Sequence, residues 1–91
     1  VRPSALVIFL TAAIANAEGL VQLERARAAI AELDYSDALK ALDAAKKEPN
    51  LTVAESVSIL ELQGVTLASL GQEAKALKAF QTLLSIAPEF S

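Results

Sequence analysis

Asp34 and Asp37 stand three residues apart, close enough to share a metal ion or act as an acid pair, and Glu55 and Glu61 offer two more carboxylates for paired-carboxylate catalysis. Arg25 with Arg27, and Lys46 with Lys47, are the nearest approaches to a basic cluster that holds phosphate. Each grouping has a plainer reading. Asp34 immediately precedes a helical apolar pattern, where a side-chain oxygen caps the helix, and Asp37 adds negative charge at the same end. The six-residue spacing puts Glu55 and Glu61 on different faces of a helix, so they do not form a couple. Lys46 and Lys47 close a helix at the end that favours cations. Cys and His are both absent, which removes thiol nucleophiles, imidazole bases, disulfides, the usual zinc sites and acylated lipoprotein anchors. The chain therefore reads as one that is not an enzyme, takes no cofactor and binds no metal.

The elements that position these groups follow from composition and periodicity. Ninety-one residues make at most one small domain with a modest core. Alanine and leucine dominate, while Gly and Pro number three each, which favours helices over strands. The fold class is all-α. A formal charge of −3 and a sequence pI near 4.8 argue against a nucleic-acid surface, which needs clustered Lys and Arg to displace counterions.

The first residues have a separate character. Arg2, an apolar run over 5–14 broken only by Thr11, and then Ala15-Asn16-Ala17 follow the order of a secretory leader cleaved after Ala17. The run is shorter than the roughly 20 apolar residues that span a bilayer. Residues 1–17 are thus expected to be a signal peptide, making the protein exported, periplasmic or extracellular. Otherwise they form an apolar helix packed on the domain, and any membrane contact is confined to this segment.

From Gly19 onward, apolar residues recur at helical spacing. Leu20, Leu23, Ala26, Ile30 and Leu33 form the inward stripe of a first helix, and Asp34 opens a second that turns Ala38, Leu39, Leu42 and Ala45 inward. Thr52-Val53-Ala54-Glu55 has the form of a capping box. It opens a third helix carrying Val57, Leu60, Gly64, Leu67 and Ala68, which Gly71 terminates. A fourth presents Ala76, Leu77, Phe80, Leu83 and Leu84 and stops near Pro88. Phe80 is the expected aromatic filler, and Gly64 the expected point of close approach between the third and fourth helices.

The segment Ala38-Leu39-Lys40-Ala41-Leu42 returns 38 residues later as Ala76-Leu77-Lys78-Ala79-Phe80. The same shift lays Ala26 on Gly64, Ala29 on Leu67, Ile30 on Ala68 and Asn50 on Pro88. Small falls on small at Ala26 and Gly64 and at Ala38 and Ala76, as a repeated helix crossing requires. One helix pair is written twice.

These residues resemble the tetratricopeptide repeat, a 34-residue helix pair. In the second unit, about 57–90, Gly64, Leu70-Gly71, Ala76, Phe80 and Pro88 follow the family pattern, with Leu60 and Leu67 where the family prefers Trp and Tyr. In the first, about 19–52, Ala26, Tyr35, Ala38, Leu42 and Pro49 match, while Gln22 replaces the usual aromatic. The 38-residue spacing implies about four extra residues, most simply within 50–54. The resemblance implies four antiparallel helices in two repeats over 18–91, a fragment of an α-solenoid, with an apolar N-terminal helix if the leader is retained. It places Tyr35 as a wedge at the turn.

The resemblance also implies a scaffold without enzymatic activity, whose first helices line a groove for a peptide or partner helix. Carried over residue by residue, the groove is Leu20, Leu23, Arg27, Ile30 and Ala31 with Ser58, Glu61, Val65, Ala68 and Ser69. Some of these positions can equally be core. Chaperone-binding members of the family grip a C-terminal carboxylate with Lys, Arg and Asn. Leu23 and Leu62 stand at the matching positions and Arg27 alone is basic, so an apolar extended segment or helix is the expected partner. Arg27 also has a plainer role, paired with Glu24 or Glu32 in solvent. Two repeats are fewer than the three or so that bury their faces on one another. The alternative is therefore a self-associating helical-repeat domain, either a homodimer or a stack covered by the N-terminal segment.

Overall fold

The computed structural model describes residues 21–90, and these are helical with no strand. Helix α1 covers residues 21–31 of the described chain, α2 runs Tyr35–Lys46, α3 runs Val53–Ser69 and α4 runs Glu73–Ile86, followed by a 3-10 turn at Pro88–Phe90. The expected all-α class holds for the described residues. The leader segment and Leu20 lie outside them.

Local chemistry sets most of the boundaries. Asp34 caps α2 by accepting the Asp37 backbone N–H at 3.2 Å. The Thr52 capping box closes in both directions: the Glu55 N–H donates to Thr52 Oγ1 at 3.0 Å, and the Thr52 N–H donates to Glu55 Oε1 at 2.8 Å. Gln72 precedes α4 without a side-chain cap.

The repeat is clearest in the two turns. At the end of α1 the Leu33 N–H reaches the Ile30 carbonyl at 2.9 Å, and the Asp34 N–H reaches Ala29 at 2.8 Å. At the end of α3 the Gly71 N–H reaches Ala68 at 3.0 Å, and the Gln72 N–H reaches Leu67 at 2.9 Å. Donors and acceptors correspond one for one at a shift of 38, and both sets form the paired bonds of a Schellman C-cap. That motif needs a left-handed residue, supplied by Gly71 at φ 78° and by Leu33 at φ 62°. A leucine in this conformation crowds its Cβ against the next carbonyl, costing about 1–2 kcal/mol.

This corrects the inward placement of Leu33, which is 70% exposed. The helical stripe ends one turn earlier, because the chain has already reversed at residues 32–33. Leu33→Gly is expected to stabilise the fold by about 0.5–1 kcal/mol, the relief of strain exceeding the added freedom of the unfolded chain. Thermal unfolding would read this as a rise of about 2–8 °C. Gly71→Leu moves the other way by a similar amount.

Short turns fold the helices back on one another, and the buried pairs show the direction. Leu23, Ala26, Ala41, Leu42, Ala45 and Ile59 form one cluster, with Leu51 and Leu62 against it. Val57 and Leu60 of α3 meet Leu83 of α4 and Ala87 in a second. Low numbers of α3 meet high numbers of α4, the register of an antiparallel pair. Helix α3 thus serves two interfaces, one toward α1 and α2 and one toward α4. Its buried set, Val57, Ile59, Leu60, Gln63, Gly64 and Thr66, consequently spreads round the helix and does not keep to one stripe.

A second correction falls on α4. Ala76, Ala79 and Leu83 are buried, but Leu77 is 58% and Leu84 38% exposed, and Phe80 is half-buried. The apolar arc of α4 is wider than α3 alone can cover. On α3, Ala68 is likewise exposed and Leu67 half-buried, while Ile59 supplies core that the sequence stripe left out.

Candidate interaction surface

Of the carboxylates and lysines that invited chemistry, Asp34, Glu55, Lys46 and Lys47 stand at helix ends. Asp34 and Glu55 accept cap hydrogen bonds. Lys46 lies in the last turn of α2, the Lys47 N–H bonds the Ala44 carbonyl and the Glu48 N–H bonds the Ala45 carbonyl. Glu61 stands nearly two turns beyond Glu55 and is exposed. Among the described residues, no group of three His, Cys, Asp or Glu could hold a metal ion, and no helix is long and apolar enough to cross a membrane. Tyr35 is the first residue of α2 and half-buried.

The residues expected to line a groove separate into two kinds. Leu23 is 3% exposed and belongs to the first core cluster, where it holds α1 on α2 and α3. Ile30 is half-buried. Arg27 is exposed and donates from Nη1 to Glu24 Oε1 at 2.9 Å, one turn back on the same helix. Such an exposed pair contributes only a few tenths of a kcal/mol, so Arg27 can exchange it for another anion at little cost. On α3, Glu61, Val65, Ala68 and Ser69 are exposed and Ser58 half-buried. Spacings of three and four residues keep Ser58, Glu61, Val65 and Ala68 on one face.

Two clefts border α3. One, of about 190 Å³, has an apolar floor of Leu51, Ile59, Leu60 and Ile86 with Lys46, Ser56 and Thr82 around it. The other, of about 310 Å³, is lined by Glu61, Phe80, Leu83 and Leu84. Small-molecule sites usually run from about 300 to 1,000 Å³ with several converging polar groups. The first cleft falls below that range, and the second has one polar group, so neither has the make-up of an enclosed small-molecule site.

Sequence reasoning missed two buried polar groups of α3. The Gln63 amide donates from Nε2 to Asp43 Oδ1 of α2 at a long 3.4 Å. Thr66 is fully buried, and its Oγ1 finds no hydrogen-bond partner among the described residues. Neither belongs to the apolar stripe by which the sequence marks the core of this helix. An unpaired buried hydroxyl costs about 1–3 kcal/mol. Thr66→Val, of similar shape and helix propensity, should therefore stabilise the protein by about 1 kcal/mol in urea titration.

Comparison of the chain with protein-family models, curated proteins and solved structures finds no match. The class that the described residues define is all-α, built of helix hairpins. Within that class, they form two hairpins whose turn bonds correspond at a shift of 38 residues.

Proposed function

We propose that this protein is a helical-repeat interaction scaffold of the tetratricopeptide type, binding a peptide or a partner helix. The observation that carries the reading is the recurrence of the helix turn, bond for bond, at 38 residues. Repeats whose side chains make no catalytic set find their use in the surface they present. The binding surface is the exposed face of α3, with Glu61, Val65 and Ala68, extended by Arg27 and Ala31 of α1. Leu23 contributes from beneath as core. Within this reading residues 1–17 are a leader, and the mature module acts outside the cytoplasm. Intact mass after expression in an export-competent host tests that part.

The scaffold reading is tested by titrating the monomer against arrayed apolar and acidic peptides while following backbone amide resonances. Shifts centred on Arg27, Glu61, Val65 and Ala68, lost in a Val65→Arg variant that keeps its helical circular dichroism, are the expected result. Concentration-dependent dimers that leave these amides protected would favour the self-associating alternative.

A further inference from the structure

Helix α4 carries Glu73, Leu77, Phe80 and Leu84 at spacings of four, three and four, which places them on one face. Thirty-eight residues earlier, α2 carries Tyr35, Leu39, Leu42 and Lys46 in the same places. What covers the α2 face is visible within this chain. Leu42 has no exposure, Tyr35 and Leu39 are half-buried, and α3 supplies Ile59 and Leu62, three residues apart, to the cluster. Among the described residues no helix covers the α4 face in this way: Leu77 is 58% exposed, Leu84 38%, and the 310 Å³ cleft opens beside them.

The exchanged residues indicate what kind of helix fits. Leu84 stands where α2 has Lys46, so the second face is more apolar at its C-terminal end. Glu73 replaces Tyr35 at the other end, and Glu61 replaces Leu23 along the side. Glu61 lines the cleft together with Phe80 and Leu84. Lys75 and Lys78 lie on the opposite side of α4, five and two residues from Phe80. The face is an apolar strip edged by carboxylates.

We propose that this face docks a basic amphipathic helix of a partner protein, one that sets two aliphatic side chains three residues apart onto Leu77, Phe80 and Leu84 and brings cations to Glu61 and Glu73. A second copy of this chain is disfavoured by charge. A two-fold pairing of the faces sets the same carboxylates on both sides of one interface. A head-to-tail pairing uses α1, whose counterparts of Ile59 and Leu62 are Val21 and Glu24, and so puts an acidic residue into the leucine position beside Glu61. The surface is distinct from the Arg27 and Val65 face, sharing only Glu61 with it, and rests on the 38-residue equivalence of α2 and α4.

The test uses the full chain and a fluorescein-labelled peptide of residues 52–70, the α3 sequence, carrying Ser58→Lys and Glu61→Lys. Saturable anisotropy is expected, weakening at least tenfold in a Leu84→Lys protein, which restores the α2-type residue at a partly exposed site and should leave the fold intact. Glu61→Lys should weaken it too, and the unmodified α3 peptide should bind less well. No saturable binding, or binding that Leu84→Lys and Leu77→Ser leave unchanged while Val65→Arg abolishes it, overturns the proposal. Sedimentation that shows a dimer dissolved by Leu84→Lys overturns it in favour of a second copy.

Discussion

Leu42→Ala should remove about 3–4 kcal/mol of folding stability. Leu42 is among the largest side chains without any exposure, and it sits where α1, α2 and α3 meet, among Leu23, Ala26, Ala41, Ala45 and Ile59. Truncating a buried leucine costs about 2–5 kcal/mol, the lost transfer energy plus the cavity left when neighbours cannot close in. Three of its cluster neighbours are alanines, whose single methyls cannot rotate into the space. A chain of 91 residues carries about 5–14 kcal/mol in all, so this one change takes a large share. In urea, with a slope near 1 kcal/mol/M for so small a protein, the midpoint should fall by about 3 M, or the protein should unfold in buffer. A loss under about 1 kcal/mol would mean that α3 does not seat on the first hairpin. Phe80→Ala, at the equivalent position one repeat later, should cost less because Phe80 is half-buried. Sequence reasoning made Phe80 the chief aromatic filler; the structure gives the larger role to Leu42.

That difference shows what one-dimensional pattern carries. Signals that act within a few residues were legible: Asp34 as a cap, Thr52 with Glu55 as a box, Gly71 as a left-handed stop, each involving backbone groups at most four positions away. The repeat was legible too, because small residues recur where the helices approach. Other features depend on what stands opposite. Periodicity gives the direction of Leu77 and Leu84 round α4, but not how much of that arc a neighbour covers. Gln63 and Thr66 are polar and stand outside the apolar stripe, yet α3 lies between α2 and α4 and both are buried. Leu33 obeys the three-residue spacing while the backbone has already left the helix, which no apolar pattern records. The candidate surface followed the same division. Arg27, Glu61, Val65 and Ala68 are exposed, and Leu23 is buried in the cluster that Ile59 of α3 joins.

Gly64→Leu should destabilise the protein by about 1–3 kcal/mol, the usual cost of overpacking. A Cβ added at Gly64 would overlap the Phe80 ring, whose Cε1, Cζ and Cε2 are its nearest neighbours. The same place in the first hairpin is Ala26 with Leu42, a methyl beneath a shorter side chain. Small and large have been traded against each other between the repeats, one carbon fewer below and an aromatic ring above. Two effects oppose each other on substitution. Leucine or alanine gains roughly 0.5–1 kcal/mol of helix propensity over glycine in mid-helix, and the half-exposed ring can swing outward to relieve part of the clash. Leucine is too large for that motion to absorb, whereas Gly64→Ala should come close to neutral. The decisive measurement is the double-mutant cycle with Phe80→Ala. With the ring gone, the added leucine enters vacated space, so its cost should shrink and the pair should show a coupling of about 1–2 kcal/mol. Equal costs in both backgrounds would mean that the α3–α4 crossing is held by Val57, Leu60 and Leu83 alone, and that the absence of a side chain at Gly64 serves something other than the ring.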